Sequence, residues 1–129
     1  MTSVGMPVFK SKVSPVFDTA TSVLIIKFEQ DREIERGETY LDGLSLTDRV
    51  NILQKLNVTV LICGGISDVL YNMLKNAGMR LISGIAGRAD QVFDAFISGH
   101  LDEPRFHMPG YREMGEGSKS GASFGKQRG

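Results

Sequence analysis

Residues 58–77, Val-Thr-Val-Leu-Ile-Cys-Gly-Gly-Ile-Ser-Asp-Val-Leu-Tyr-Asn-Met-Leu-Lys-Asn-Ala, constrain this chain more than any other stretch. From Val58 to Cys63 every residue is β-branched or apolar, without alternation, the pattern of a strand covered on both faces in an α/β sheet. Gly64 and Gly65 break it. Ser67 is placed to cap a helix, Asp68 falls in its first turn, and Val69, Leu70, Met73, Leu74 and Ala77 recur at helical spacing on one face. Gly78 is a natural stop. In open α/β sheets the turn at a strand's carboxyl end, where a helix begins, collects ligands, and its amides favour anions. A glycine pair admits something bulky or negative close to the backbone, and the chain's one cysteine, Cys63, stands at the edge of that turn. The same residues also suit a simple chain reversal with Cys63 as a small buried hydrophobe.

Around this unit the chain divides into a β-rich first third and an alternating remainder. Met1–Phe9 can supply a first strand despite Gly5 and Pro7. Lys10-Ser11-Lys12 is a polar turn, and residues 13–18 form an irregular loop because Pro15 lacks a donor and restricts Ser14. Val23–Glu29 reads as a strand, Asp31-Arg32 as a hairpin turn, and Glu33–Leu41, with its charges, as a solvent-facing edge strand. Ser45-Leu46-Thr47-Asp48 opens a helix whose buried stripe is Leu46, Val50, Leu53 and Leu56, and Asn57 is an acceptable left-handed end. After the central unit come a short strand at Met79–Ile82, a second glycine-bearing turn at Ser83–Gly87, and a helix over Arg88–Ser98 that Gly99 ends. Residues 1–103 are thus predicted to form one α/β domain. Residues 104–129 are predicted to be an extended, glycine-rich tail, mobile from 111 onward.

Antiparallel strands followed by helix, strand, helix, strand and helix give a mixed sheet of about five strands between about three helices, a ribonuclease-H-like three-layer domain. In that arrangement the turns Cys63–Ser67 and Ser83–Gly87 lie at the same carboxyl end of neighbouring strands. With the Lys10–Asp18 loop they would wall one pocket.

The bulk numbers narrow the function classes. A chain of 129 residues, 41% hydrophobic and 23% charged, has the size of one domain with a real core. Fifteen basic residues balance fifteen acidic ones, so the broad positive footprint of a nucleic-acid binder is missing. One cysteine permits no internal disulfide, no apolar run approaches the roughly 18 residues of a membrane span, and no signal-peptide pattern opens the chain. A cytoplasmic protein without membrane or nucleic-acid partners is expected.

Catalysis is poorly supported. A two-metal nuclease on this fold needs carboxylates converging on the central strands, and Asp18, Asp68 and Asp90 stand instead on loops or helix starts, where capping roles account for them. A nucleophilic Cys63 needs a positioned base. His100 ends a helix, and His107 lies in the segment before the tail, so a dyad requires that segment to fold back. Metal binding remains. Cys and Met are soft ligands for copper(I) and iron–sulfur centres, yet one Cys cannot hold an iron–sulfur cluster alone. A cluster made elsewhere could be held by few ligands, amides and cations such as Lys10, Lys12 and Arg88, with Met108 as a further soft group or a plug against the sheet.

Val-Leu-Ile-Cys-Gly-Gly-Ile at 60–66, Asn-Ala-Gly at 76–78, Ile-Ser-Gly-Ile-Ala-Gly at 82–87 and Phe-Ile-Ser-Gly-His-Leu at 96–101 resemble the dinitrogenase iron–molybdenum cofactor binding proteins. So do Val-Ser-Pro-Val-Phe-Asp at 13–18 and Met-Pro-Gly at 108–110. The resemblance covers about residues 4–110. It implies non-catalytic binding or carriage of a preformed cluster of molybdenum and iron sulfide, as in cofactor assembly, or of molybdenum and copper sulfide, as in the small orange protein. On that reading Cys63 is the metal contact, and Lys10, Ser14, Phe17, Gly64, Gly65, Ile66, Gly84, Arg88 and Met108 surround the cluster. The implied partners are proteins that donate or accept it, and the chain is a monomer or weak homodimer. A protein-interaction or regulatory module of the same fold that binds no metal is the alternative. Where cofactor-assembly members read Ser-x-His-Phe-Gly, this chain has Val16 and Asp18 in place of His and Gly, which counts against ligation by this loop. Tyr111 stands where some relatives carry a cysteine.

Overall fold

Two tight hairpins, a capped helix and two strand–turn–helix units make up the computed structural model, which describes residues 2–109. Strand β1 (Thr2–Phe9) turns at Lys10 and Ser11, with φ of 52° and 69°, into the two-residue β2 (Lys12–Val13). That is the left-handed pair two-residue hairpins require. Strands β3 (Ser22–Glu29) and β4 (Arg32–Tyr40) are joined the same way through Gln30 and Asp31, at φ of 52° and 63°, one residue earlier than the sequence suggests. β4 is exposed almost throughout, as an edge strand rich in charge should be. Its Arg36 binds Glu33 and reaches Asp90 at 2.8 Å.

Helix α1 (Leu46–Lys55) starts at Ser45, whose hydroxyl accepts from the Asp48 amide at 3.1 Å, and Asn57 takes the left-handed conformation, φ 60°, after its end. Strand β5 is regular only over Val60–Ile62, but the Thr59 and Cys63 amides still donate to Ser3 O and Ile82 O. Helix α2 (Asp68–Asn76) is capped by Ser67 and followed by Gly78 at φ 88°. Its buried stripe runs through Leu70 and Leu74. Val69, expected on that stripe, lies at its margin and is 62% exposed. Strand β6 (Arg80–Ile82) and helix α3 (Ala89–Ser98) complete the pattern, with Gly99 at φ 78° closing the helix.

The sheet order is β4-β3-β1-β5-β6, antiparallel from β4 to β1 and parallel from β1 to β6, with β2 added beside β1 as a short sixth strand. This is the mixed sheet of the ribonuclease-H-like domain. Alternation along the strands divides the core in two. Val4, Met6, Ile26, Val60 and Ile62 pack with α3 residues Ala89, Val92 and Phe93 on one face. Val23, Ile25, Leu61 and Cys63 pack with Val50 and Leu53 of α1 and Leu70 and Leu74 of α2 on the other. Gly5 suits this second face, because a Cβ there would lie 3.3 Å from both Leu61 and Val58.

Packing continues past the expected boundary at 103. Pro104–Phe106 form a 3-10 turn, Phe106 is 2% exposed within the α3-side core, and its carbonyl accepts from Ala86 N at 2.7 Å. The mobility expected of residues 111–129 concerns a segment outside the described residues.

Candidate functional site

Because β1, β5 and β6 run parallel, the loops after them emerge at one end of the sheet. Backbone hydrogen bonds stitch them together. Gly65 N donates to Pro15 O at 2.7 Å and Phe17 N to Gly65 O at 2.9 Å, so the 13–18 loop lies along the first glycine turn as a short strand-like strap. Gly84 N donates to Gly64 O and Ile85 N to Cys63 O, joining the two glycine turns. Val13 N reaches Gly87 O, Ala89 N reaches Ser11 O, and Lys12 pairs with Arg88 across an isolated bridge. Met108 N donates to Gly84 O at 2.9 Å. The segment carrying His107 therefore folds back over the second glycine turn, which spacing alone left undetermined.

Within this end the side chains divide into covered and open groups. Phe17 and Cys63 are fully buried in the α1–α2 core, and Ile66 packs against it half-buried. Ser14 is buried, its amide bonded to Pro7 O. A Cβ on Gly64 would lie 2.6 Å from Ser14 O and 2.8 Å from Pro15 O, and one on Gly65 would lie 3.1 Å from Pro15 O. The close approach that the glycine pair permits is thus taken by the chain's own strap. Gly84, at φ 77°, and Met108 are half-buried, while Lys10, Lys12 and Arg88 are exposed. Lys10 Nζ sits 5.3 Å from the centre of the Phe9 ring.

Electrostatics sharpen the division. Burial pushes the Cys63 thiol up to about 12, and the nearby Asp18 carboxylate pushes in the same direction. The protonated thiol is not a ready metal ligand, since the thiolate is the form that binds. Asp18 accepts from the Ser67 amide at 2.9 Å and from the Ser67 hydroxyl at 2.5 Å, placing an acid at the start of α2. Among the described residues no group of three or more His, Cys, Asp or Glu side chains is arranged to hold a metal ion. The first glycine turn, as closed here, does not fit an anionic cluster. The second turn, fringed by Lys12 and Arg88, presents the suitable charge.

Two residues at this end escape sequence reasoning. Arg49 looks like a solvated cation of α1 but is 5% exposed, donating to the carbonyls of Ala20 at 2.6 Å, Leu44 at 3.2 Å and Phe17 at 3.4 Å. Phe106 gave no signal within a stretch rich in Pro and charge. A hint for Arg49 lay in its helical spacing, three residues after Leu46 and four before the buried Leu53.

Residues 3–99 match the family model described as dinitrogenase iron-molybdenum cofactor. The chain belongs to that family. Solved structures carry the same fold. PH0822 is 19% identical, over 75% of this chain and 89% of that one, with a TM-score of 0.72. A candidate dinitrogenase from Methanocaldococcus jannaschii is 19% identical, over 76% and 89%, with a TM-score of 0.65. The apo form of the orange protein from Desulfovibrio gigas is 17% identical, over 78% and 90%, with a TM-score of 0.60. No curated protein matches the chain. Family membership thus supports the expected association with iron–molybdenum cofactor chemistry, and the likenesses support the fold. No helix in the described residues is long and apolar enough to cross a membrane.

Proposed function

We propose that this protein holds a preformed metal–sulfide cluster of molybdenum with iron or copper, without catalytic turnover. The observation that carries the reading is the hydrogen-bonded convergence of the 10–18 loop, both glycine turns and residues 106–108 at one end of the sheet, beside the exposed cations Lys10, Lys12 and Arg88. An anionic sulfide surface is held there by charge and amides over the Ser83–Arg88 turn, with Met108 at its rim. Cys63 becomes a soft ligand only when the Ser14–Asp18 strap lifts, because the thiol is fully buried in the same core as Phe17 of the strap. The partners are cytoplasmic proteins that deliver or accept the cluster, and the holder acts as a monomer or weak homodimer.

An anaerobic titration with tetrathiomolybdate, with and without copper(I), followed through backbone amide NMR shifts, tests this reading. Saturable shifts clustered at the 10–18, 63–67 or 83–88 segments are expected. Absence of saturable shifts there would overturn it.

A metal-free interaction or regulatory module has one observation in its favour, the burial of Cys63 behind a closed strap. Cys63→Ala separates the two. With copper(I) present, a holder that engages Cys63 weakens its cluster, whereas a module shows only a packing cost of about 1 kcal/mol.

A further inference from the structure

We propose that Asp18 determines the charge of what reaches Cys63: its carboxylate serves as a built-in anion at the first glycine turn, excluding anionic groups from that turn and leaving them to the second. The inference rests on the cluster-holding reading and says which part of the site the cargo uses.

The position an anion would take at the start of a helix is defined by its free amides and by its dipole. Here Asp18 takes it. Its two carboxylate oxygens accept from the amide and the hydroxyl of Ser67, directly before the nine-residue α2. The neighbouring amide of Gly65 is satisfied by Pro15 O, and the space over Gly64 is filled by the carbonyls of Ser14 and Pro15. A ligand arriving at this turn finds the Gly65 and Ser67 amides occupied and a negative charge in place. Asp68 adds a second acid in the first turn of α2.

The Asp18 position is fixed from beneath. The buried Arg49 guanidinium donates to the carbonyls of Phe17, the first residue of the Phe17–Thr19 turn that carries Asp18, and of Ala20, which follows it. Phe17 itself is fully buried. The carboxylate is therefore held at Ser67, in the turn that follows Cys63, near enough to add to the burial that disfavours the thiolate. At the second turn the charges have the opposite sign, since Lys12 and Arg88 stand side by side in a backbone bridge at its end. A dianionic sulfide is repelled from the first turn and attracted to the second, while a copper(I) ion meets no repulsion from Asp18.

Two probes of equal chemistry and different charge read this directly. Labelling of Cys63 is timed with the dianionic disulfide dithiobis-nitrobenzoate and the neutral dithiodipyridine, each rate divided by that of a small free thiol. The protein, Asp18→Asn and Asp18→Gly are compared, with thermal unfolding as a check that each folds. The parent should disfavour the anionic reagent by about tenfold, and both variants should remove most of that discrimination. An unchanged ratio in both variants, or no labelling of any form, would overturn the inference. Tetrathiomolybdate titration of the same three proteins then separates the two readings. Shifts confined to 83–88 in the parent and extended to 63–67 in the variants support both. Loss of charge discrimination with no thiomolybdate binding in any form leaves the Asp18 role standing and removes the cluster-holding function.

Discussion

Asp18 and Ser67 lie 49 residues apart in the chain and are joined twice, through the Ser67 amide at 2.9 Å and its hydroxyl at 2.5 Å. The same hydroxyl accepts from the Leu70 amide at 3.2 Å, so one serine both caps α2 and moors the strap that covers Cys63. Local helix capping and long-range loop closure thus share a single side chain. Four expectations follow from how that strap is built.

The glycine pair is unequal. A methyl at residue 64 would meet two backbone carbonyls, at 2.6 and 2.8 Å, that cannot rotate away, whereas at residue 65 the nearest atom is Pro15 O at 3.1 Å. Gly64→Ala should cost about 1–3 kcal/mol or displace the strap, and Gly65→Ala clearly less. Urea midpoints of the two variants, with amide shifts of residues 14–17, measure the difference.

Neighbouring strap residues should behave oppositely. Phe17 is fully buried and Val16 is 43% exposed. Phe17→Ala should lose about 3–5 kcal/mol, while Val16→Ala should stay within about 0.5 kcal/mol of the parent. Equal costs in chemical denaturation would show that the strap does not pack as described.

Arg49 supplies hydrogen bonds to three main-chain carbonyls from a buried position. Arg49→Met keeps much of the volume and removes the donors, leaving Ala20 O and Phe17 O to find water. A loss of about 1.5–3 kcal/mol is expected, with faster amide hydrogen exchange over 17–20 than elsewhere. Unchanged exchange there would remove Arg49 from the support of the strap.

Cys63 makes stability fall in alkali. Its thiol ionises at an ordinary value of 9.0 when unfolded and near 12 in the folded chain, chiefly through burial. The folded form keeps the proton longer, so this contribution is complete below pH 9 and is lost as pH rises from about 9 to about 12, by at most about 1.4 kcal/mol per pH unit. Cys63→Ala should flatten that part of the curve relative to the parent, as followed by unfolding at pH 8 to 11.

Much of the architecture was legible because its signals are short-range. Ser45 and Ser67 cap helices three residues onward, Gly78 and Gly99 take the left-handed turns at helix ends, and the unbroken apolar run at 58–63 marks a strand with a helix layer on each side. Each needs only neighbours within a few residues. The capping role suggested for Asp18 also holds, although on a helix that starts far along the chain. Val69 misled because helical periodicity gives the direction of a face but not its width.

By itself, then, the sequence determined the elements, their order, the two glycine turns and the single thiol, since dihedral preference, capping and hydrophobic period are local properties. Only the tertiary structure decided what those turns face. Whether the space above Gly64 belongs to a ligand or to Ser14 and Pro15, whether Arg49 is solvated or clamps Ala20, and whether Phe106 leaves the domain or enters its core are contacts across 20 to 50 residues. Such contacts depend on how closed loops fill volume and satisfy every buried donor and acceptor together, a condition no single stretch of sequence carries.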